Sequence, residues 1–232
     1  MTAYGAVVLA GGAGRRMGGP DKPVLPVGGV PMRERVLAAV ADASPRILVG
    51  PGPAIIGVRL TREQPPGGGP VAAVAAGLAL LDIEVPAVAL LAADLPMLTR
   101  LAVGRLLDHL HSTGIDPLRS DRPASWPAPD AEAESTGTSG TGSPGAVTFD
   151  GACYLDRSGR RQTLCGVWRP AALRAALERL SAQRNGDVTG APLRDLLAGL
   201  TVREVTWHGA GPEPWFDCDT ERDLRRAEEW TR

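Results

Sequence analysis

The sequence predicts an α/β protein, a three-layer, Rossmann-like domain on a mostly parallel sheet. Residues 6–10 and 87–92 are short, continuous apolar runs of the kind found in strands buried on both faces. Strands alternate with helical stretches along the chain, a spacing that indicates right-handed βαβ units. Gly 29 and Pro 21, together more than a fifth of the 232 residues, predict many tight loops.

Taken in order, residues 6–10 (Ala-Val-Val-Leu-Ala) are the first strand, stopped by Gly11-Gly12. Pro31 opens a helix through residue 43, with Val36, Leu37 and Val40 on one face, and proline suits a first helical turn. Residues 46–49 form the second strand, ended by Gly50-Pro51-Gly52-Pro53. A weaker strand at 58–61 precedes Pro65-Pro66-Gly67-Gly68-Gly69-Pro70. The alanine-rich helix over 71–81 carries few charges and should pack close to the sheet. Residues 87–92 are the most clearly buried strand and lead into Asp94-Leu95-Pro96. Residues 112–145, rich in Pro, Ser, Thr, Gly and Ala, break the pattern and read as a flexible surface insertion within one domain spanning 1–232. Strands at 146–155 and 163–168 follow, then a helix over 170–184, a short helix over 192–200, a strand at 202–206 and a charged helix from Thr220.

Composition narrows the partners. Lys+Arg 25 against Asp+Glu 26 leaves a net charge of -1, so no global field draws nucleic acid or an anionic membrane. Any anion must be held locally. Cys153, Cys165 and Cys218 form no CxxC pair and are odd in number, against a disulfide framework or a cysteine zinc site. No apolar stretch approaches the roughly 20 residues of a membrane span, and the first residues lack a signal-peptide pattern. The expectation is a soluble cytoplasmic protein.

The most informative segment is LAGGAGRRMGGPDKP, residues 9–23. A buried strand empties there into a loop whose Gly11, Gly12 and Gly14 lack β-carbons, so their amides can approach an anion closely. Arg15, Arg16 and Lys22 add positive charge at the same edge. Ligands of open α/β sheets bind outside the carboxyl ends of the strands, where this loop sits. It is neither a Walker A loop, since Lys22 follows Asp21 and precedes Pro23, nor a dinucleotide fingerprint, since Met17 stands where the third glycine would be.

Asp94, just past a buried strand, is placed to hold Mg²⁺ against phosphate oxygens; capping the next helix is the alternative. Asp217 and Asp219 sit at i, i+2, on one face of a strand, and either bind metal or ligand or leave Asp219 or Thr220 to cap the last helix. Glu63, at a strand end, contacts a base or sugar or serves only the surface. His109 and His111, two apart in a helix, do not share a face, and His208 stands alone.

Together these elements resemble the nucleotidyltransferase family with the glycine-rich LAGGxxxRMG…DK signature, a family whose fold is the nucleotide-diphospho-sugar transferase type. The match runs through Leu9-Ala10-Gly11-Gly12, Arg16-Met17-Gly18, Asp21-Lys22, Gly68-Gly69-Pro70-Val71-Ala72, Ala93-Asp94-Leu95-Pro96, residues 162–168, and the Asp-Thr-x-x-Asp-Leu pattern ending at Leu224. It covers nearly the whole chain outside 112–145.

The resemblance implies nucleotide contact at Leu9, Ala10, Gly11, Gly12, Gly14, Lys22, Glu63, Gly69, Pro70 and Asp94. It implies catalysis by Arg16, Lys22 and Asp94, with Mg²⁺ on Asp94; the candidate metal set from the residues themselves adds Asp217 and Asp219. Within the family the chain looks like the branch that moves GMP from GTP to the terminal phosphate of molybdopterin, which also implies transient contact with cofactor-delivery proteins. Gly50-Pro51-Gly52 replaces an asparagine frequent in that branch, and Glu63-Gln64 an aspartate. CTP as donor, a cobinamide or sugar phosphate as acceptor, and a silent nucleotide-binding protein remain alternatives.

Overall fold

The computed structural model describes residues 3–11, 22–112 and 148–232. The elements below belong to one compact unit, made by the chain up to residue 111 and from 149 onward. Residues 112–148 are a separate unit, of which only Ser112 and Thr148 are described, so the expected insertion falls almost wholly outside the described residues.

The first apolar run forms β1 (Gly5–Leu9), buried at all five positions. A 3₁₀ turn at Lys22–Val24 precedes a small hairpin, β2 (Pro26–Val27) and β3 (Val30–Pro31), which the sequence reading did not anticipate. Helix α1 (Met32–Ala39) is shorter than expected: Pro31 ends β3 and sits at the N-cap. Ala41 and Ala43 instead donate to carbonyls three residues back, Ala38 and Val40, closing the helix in tight turns ahead of Pro45. Then come β4 (Arg46–Val49), β5 (Arg59–Thr61), α2 (Pro70–Ala79), β6 (Val88–Ala92) and α3 (Arg100–His111). Beyond the separate unit lie β7 (Gly151–Leu155), β8 (Arg161–Trp168), α4 (Pro170–Gln183), α5 (Leu193–Leu197), β9 (Val202–Thr206) and α6 (Glu221–Trp230).

Of the strand expected over 146–155, residues 146 and 147 lie outside the described residues, and the described strand is Gly151–Leu155; ahead of it, the Asp150 carboxylate accepts from the Thr201 amide at 2.8 Å.

The sheet order is β5-β4-β1-β6-β8-β7-β9. Strand β8 runs against both neighbours, and the other pairings in this sheet are parallel. Side chains alternate faces with period two. Ala6 and Val8 of β1 and Ala89 and Leu91 of β6 join a core with α1 and α3. Val7, Leu9, Val88 and Leu90 join one with α2, α4 and α5. Burying each such Val or Leu is worth about 1.5–3 kcal/mol, so register slips that would turn these faces outward are strongly disfavoured.

Register also levels the strand exits. Leu9 lies opposite Val49 on one side and Ala92 on the other. The Ala10 amide donates to the Val49 carbonyl at 2.7 Å, and the Ala93 amide to the Leu9 carbonyl at 3.0 Å. A smaller core of Val27, Met32, Met97, Cys218 and Ala227 fastens the hairpin and α6 to this edge. Among the described residues no helix is long and apolar enough to cross a membrane.

Candidate active site

The site grows from the level carboxyl edge. Leu9 and Ala10 are buried in the exit of β1, and Gly11 emerges into solvent. Gly12, Gly14 and Arg16 lie outside the described residues. Gly50 leaves β4 directly against Ala10: a β-carbon at Gly50, whose φ is 146°, would come within 2.9 Å of the Ala10 carbonyl carbon. Only glycine lets the two exits close up this tightly.

Lys22, in the 3₁₀ turn, directs its Nζ to two carboxylates, Asp94 Oδ2 and Asp219 Oδ1, each at 2.5 Å. The Lys22 side chain keeps 14% of its surface exposed, Asp94 23% and Asp219 57%. Burial opposes charge on Lys22, but hydrogen bonds to Asp219 and Asp94, and their charges, prevail and raise its pKa. Lys22 is therefore a cation across the neutral range. An ammonium has three donors, and these two carboxylates engage two of them.

Asp219 reaches Lys22 because a backbone bond holds its neighbour in place. The Cys218 amide donates to the Asp94 carbonyl at 3.3 Å, while the Cys218 side chain is buried in the small core. Residues 217–219 are irregular rather than the expected strand, yet their alternation survives, with Cys218 inward and both aspartates outward. The capping alternative is also settled. Thr220 is the N-cap of α6 and forms a capping box with Asp223, which leaves Asp219 for Lys22. Burial first, and then the charges of Asp219 and Asp94, raise the Asp217 carboxyl pKa. Asp217 thus stands in the field of the two carboxylates that hold Lys22.

Glu63 belongs to the same edge. Its Oε1 accepts from the Gly67 amide at 3.1 Å and lies 3.6 Å from where a β-carbon of Gly11 would stand. Glu63 therefore joins the first glycine segment to the second. Gly69 is the N-cap of α2 and Pro70 its first residue, so first-turn amides with no partner inside the helix open at the carboxyl edge. The Gly190 amide, donating to the Gly68 carbonyl at 2.8 Å, steadies this turn.

Among the described residues no three of His, Cys, Asp and Glu form a ready metal cage. The chemistry of the donors nonetheless suits magnesium. Mg²⁺ takes hard oxygens, and commonly one or two carboxylates plus substrate phosphates; Asp94 and Asp219 already share one cation. The residue that sequence reasoning missed is Arg33. It lies three and four positions before Val36 and Leu37, on the inward face of α1, so an arginine on an apolar stripe was the available signal.

A glycine-rich strand exit, a lysine and an acid beyond a neighbouring strand define a nucleotidyltransferase site. The profile of the MobA-like NTP transferase domain matches residues 6–203, and the chain belongs to that family. The chain is 28% identical over 236 residues to a molybdenum cofactor guanylyltransferase of Bradyrhizobium sp. (strain ORS 278), covering 98% of this chain and 92% of that protein. A protein of the same name from Nitrobacter hamburgensis is 38% identical over 109 residues, 43% of this chain and 52% of that one. Among solved structures, molybdopterin-guanine dinucleotide biosynthesis protein A from Archaeoglobus fulgidus aligns over 97% of both chains, with a TM-score of 0.61 and 18% identity. The 2-C-methyl-D-erythritol 4-phosphate cytidylyltransferase of Thermus thermophilus aligns over 99% of both, with a TM-score of 0.62 and 22% identity. Likeness at that identity establishes the fold, which is the nucleotidyltransferase fold expected.

Proposed function

We propose that this nucleotidyltransferase transfers GMP from GTP to the terminal phosphate of a molybdopterin-type acceptor and releases diphosphate. The observation that carries the reading is Lys22 held between Asp94 and Asp219 beyond the exit of β6. The names of the two guanylyltransferase relatives support the donor and the acceptor. So does Glu63 beside Gly11: an ionised carboxylate only accepts hydrogen bonds, and guanine offers it an N1–H and an amino group.

The acceptor is a phosphate monoester, anionic at neutral pH, so the attacking oxygen needs no general base. That oxygen bonds to the α-phosphorus while the bond from the α-phosphorus to the bridging oxygen breaks, and diphosphate departs with the electron pair. The protein has to align two polyanions and offset charge as it develops. Lys22, with a third donor beyond those engaged by Asp94 and Asp219, binds a phosphate oxygen. Arg16 and the amides of the glycine loop hold the rest of the triphosphate. Asp94 and Asp219 would hold Mg²⁺, which supplies Lewis-acid charge at the phosphates when bound.

The test is diphosphate release by the full chain with MgCl₂, comparing GTP with CTP and molybdopterin with sugar phosphates. Release with GTP and molybdopterin is expected. Release only with another pair would replace the substrates, and GTP binding without any release would make the protein catalytically silent.

A further inference from the structure

Arg33 has no role in the mechanism above. It stands in the first turn of α1, only 6% exposed, and its Nε is buried without a hydrogen-bond acceptor. Among the described residues it has neither an ion pair nor a hydrogen-bond partner. A buried charge without a partner is heavily penalised, and nothing in the packing of α1 requires one there. Val36, Leu37 and Val40 continue the same face with apolar side chains.

The guanidinium rests over Gly52, where a β-carbon would collide with its Nη1. Gly52 is two residues beyond Gly50, which itself touches Ala10. The cation therefore lies at the exit of β4, while Lys22 and Asp94 meet at the exit of β6, with β1 between. Two strand spacings of about 4.8 Å separate the exits, a span suited to the stretch between a nucleotide's α-phosphate and its base.

We propose that Arg33 reads the base of the bound nucleotide, its guanidinium donating to O6 and N7 of guanine. The inference rests on the guanine reading above and extends it. A guanidinium presents parallel donors, and guanine pairs two acceptors, O6 and N7, on one edge, whereas adenine sets an amino donor beside N7. Glu63 and Arg33 then divide the base between them, Glu63 taking its donors and Arg33 its acceptors. The energy withheld in the empty protein by an unpaired cation is returned when the base arrives, which makes the contact selective.

Calorimetry with MgCl₂ tests this on the full chain, using GTP, CTP and 7-deaza-GTP, which lacks the N7 acceptor. Arg33→Met is expected to bind GTP roughly 5- to 150-fold more weakly than wild type, the worth of one bidentate base contact. Its preference for GTP over 7-deaza-GTP should vanish. Arg33→Lys keeps the charge but not the fork, and should lose the same preference. Ligand-free Arg33→Met should melt at or above wild type, since an apolar chain replaces an unpaired buried charge. Unchanged GTP affinity, an unchanged ratio to 7-deaza-GTP, or a ligand-free melting point clearly below wild type would each overturn the proposal. Wild type binding CTP as tightly as GTP would instead defeat the guanine reading, and Arg33's role with it.

Discussion

The Lys22 ammonium lies 2.5 Å from the Asp94 carboxylate although 72 residues separate them in the chain. A second carboxylate, Asp219, meets the same nitrogen from 197 residues away. Three distant segments therefore share one charge centre at the carboxyl edge of the sheet, which is where a triphosphate and its counter-ion are wanted in an α/β nucleotide site.

Removing either member of that pair should stop the chemistry and spare the fold. Lys22→Ala and Asp94→Ala are each expected to release diphosphate at least about 100-fold more slowly, the usual cost of one preorganised charge contact. Circular dichroism should stay as in wild type. Saturating Mg²⁺ and GTP, at about 100 times Kd, should stabilise wild type by about 2.7 kcal/mol. That is roughly 5–10 °C in melting temperature for a chain of this size, and Asp94→Ala should lose most of it. Near-normal turnover in either variant would remove that residue from the mechanism.

Asp217 should cost stability at neutral pH. Its raised pKa means that the folded protein binds this proton more tightly than the unfolded chain. The penalty is absent while the group is protonated in both states, grows as pH rises through the folded pKa, and is complete at neutrality. Solvent reaches the Asp217 side chain and screens the effect. Asp217→Asn should therefore gain only about 0.5 kcal/mol, or roughly 1–2 °C, at pH 7. The two melting curves should converge as pH falls below the ordinary aspartate value of 3.8. A variant less stable than wild type at pH 7 would contradict the assignment. Lys22 behaves oppositely: its raised pKa keeps its contribution through neutrality, and that contribution fades only above 10.5.

The capping box on α6 should be measurable apart from the chemistry. Thr220 accepts from the Asp223 amide at 3.2 Å while Asp223 Oδ2 accepts from the Thr220 amide at 2.8 Å. Thr220→Ala should destabilise by about 1 kcal/mol, a fall of roughly 2–4 °C, and Thr220→Ser should restore most of it. Turnover should drop far less than in Asp94→Ala. An unchanged melting point would mean that the helix start is held by the small core instead.

Much of this was legible because it is local. Burial on both faces makes residues 6–10 and 87–92 continuous apolar runs, and a chain that must turn sharply beside an anion shows its glycines. Lys22 and Asp94 stand at such punctuation, so each could be marked as a candidate alone. Other features escaped for the same reason. The pairing of β8 against β6 and β7 is long-range and leaves no periodicity of its own. The early end of α1 comes from the tight turns at Ala41 and Ala43 ahead of Pro45, and its start at Met32 from the β2–β3 hairpin before it.

By itself the sequence determined the alternation of strands and helices, the glycine-lined exit of β1 and the presence of a cation and acids at strand ends, because side-chain period and backbone steric freedom act over a few residues. Tertiary structure decided that β4, β1 and β6 lie side by side with level exits, that Asp219 turns to Lys22 while Thr220 caps α6, and that Arg33 is buried over Gly52. Those outcomes depend on which strands become neighbours and in what register, and that is settled by burying two sheet faces at once rather than by any one segment.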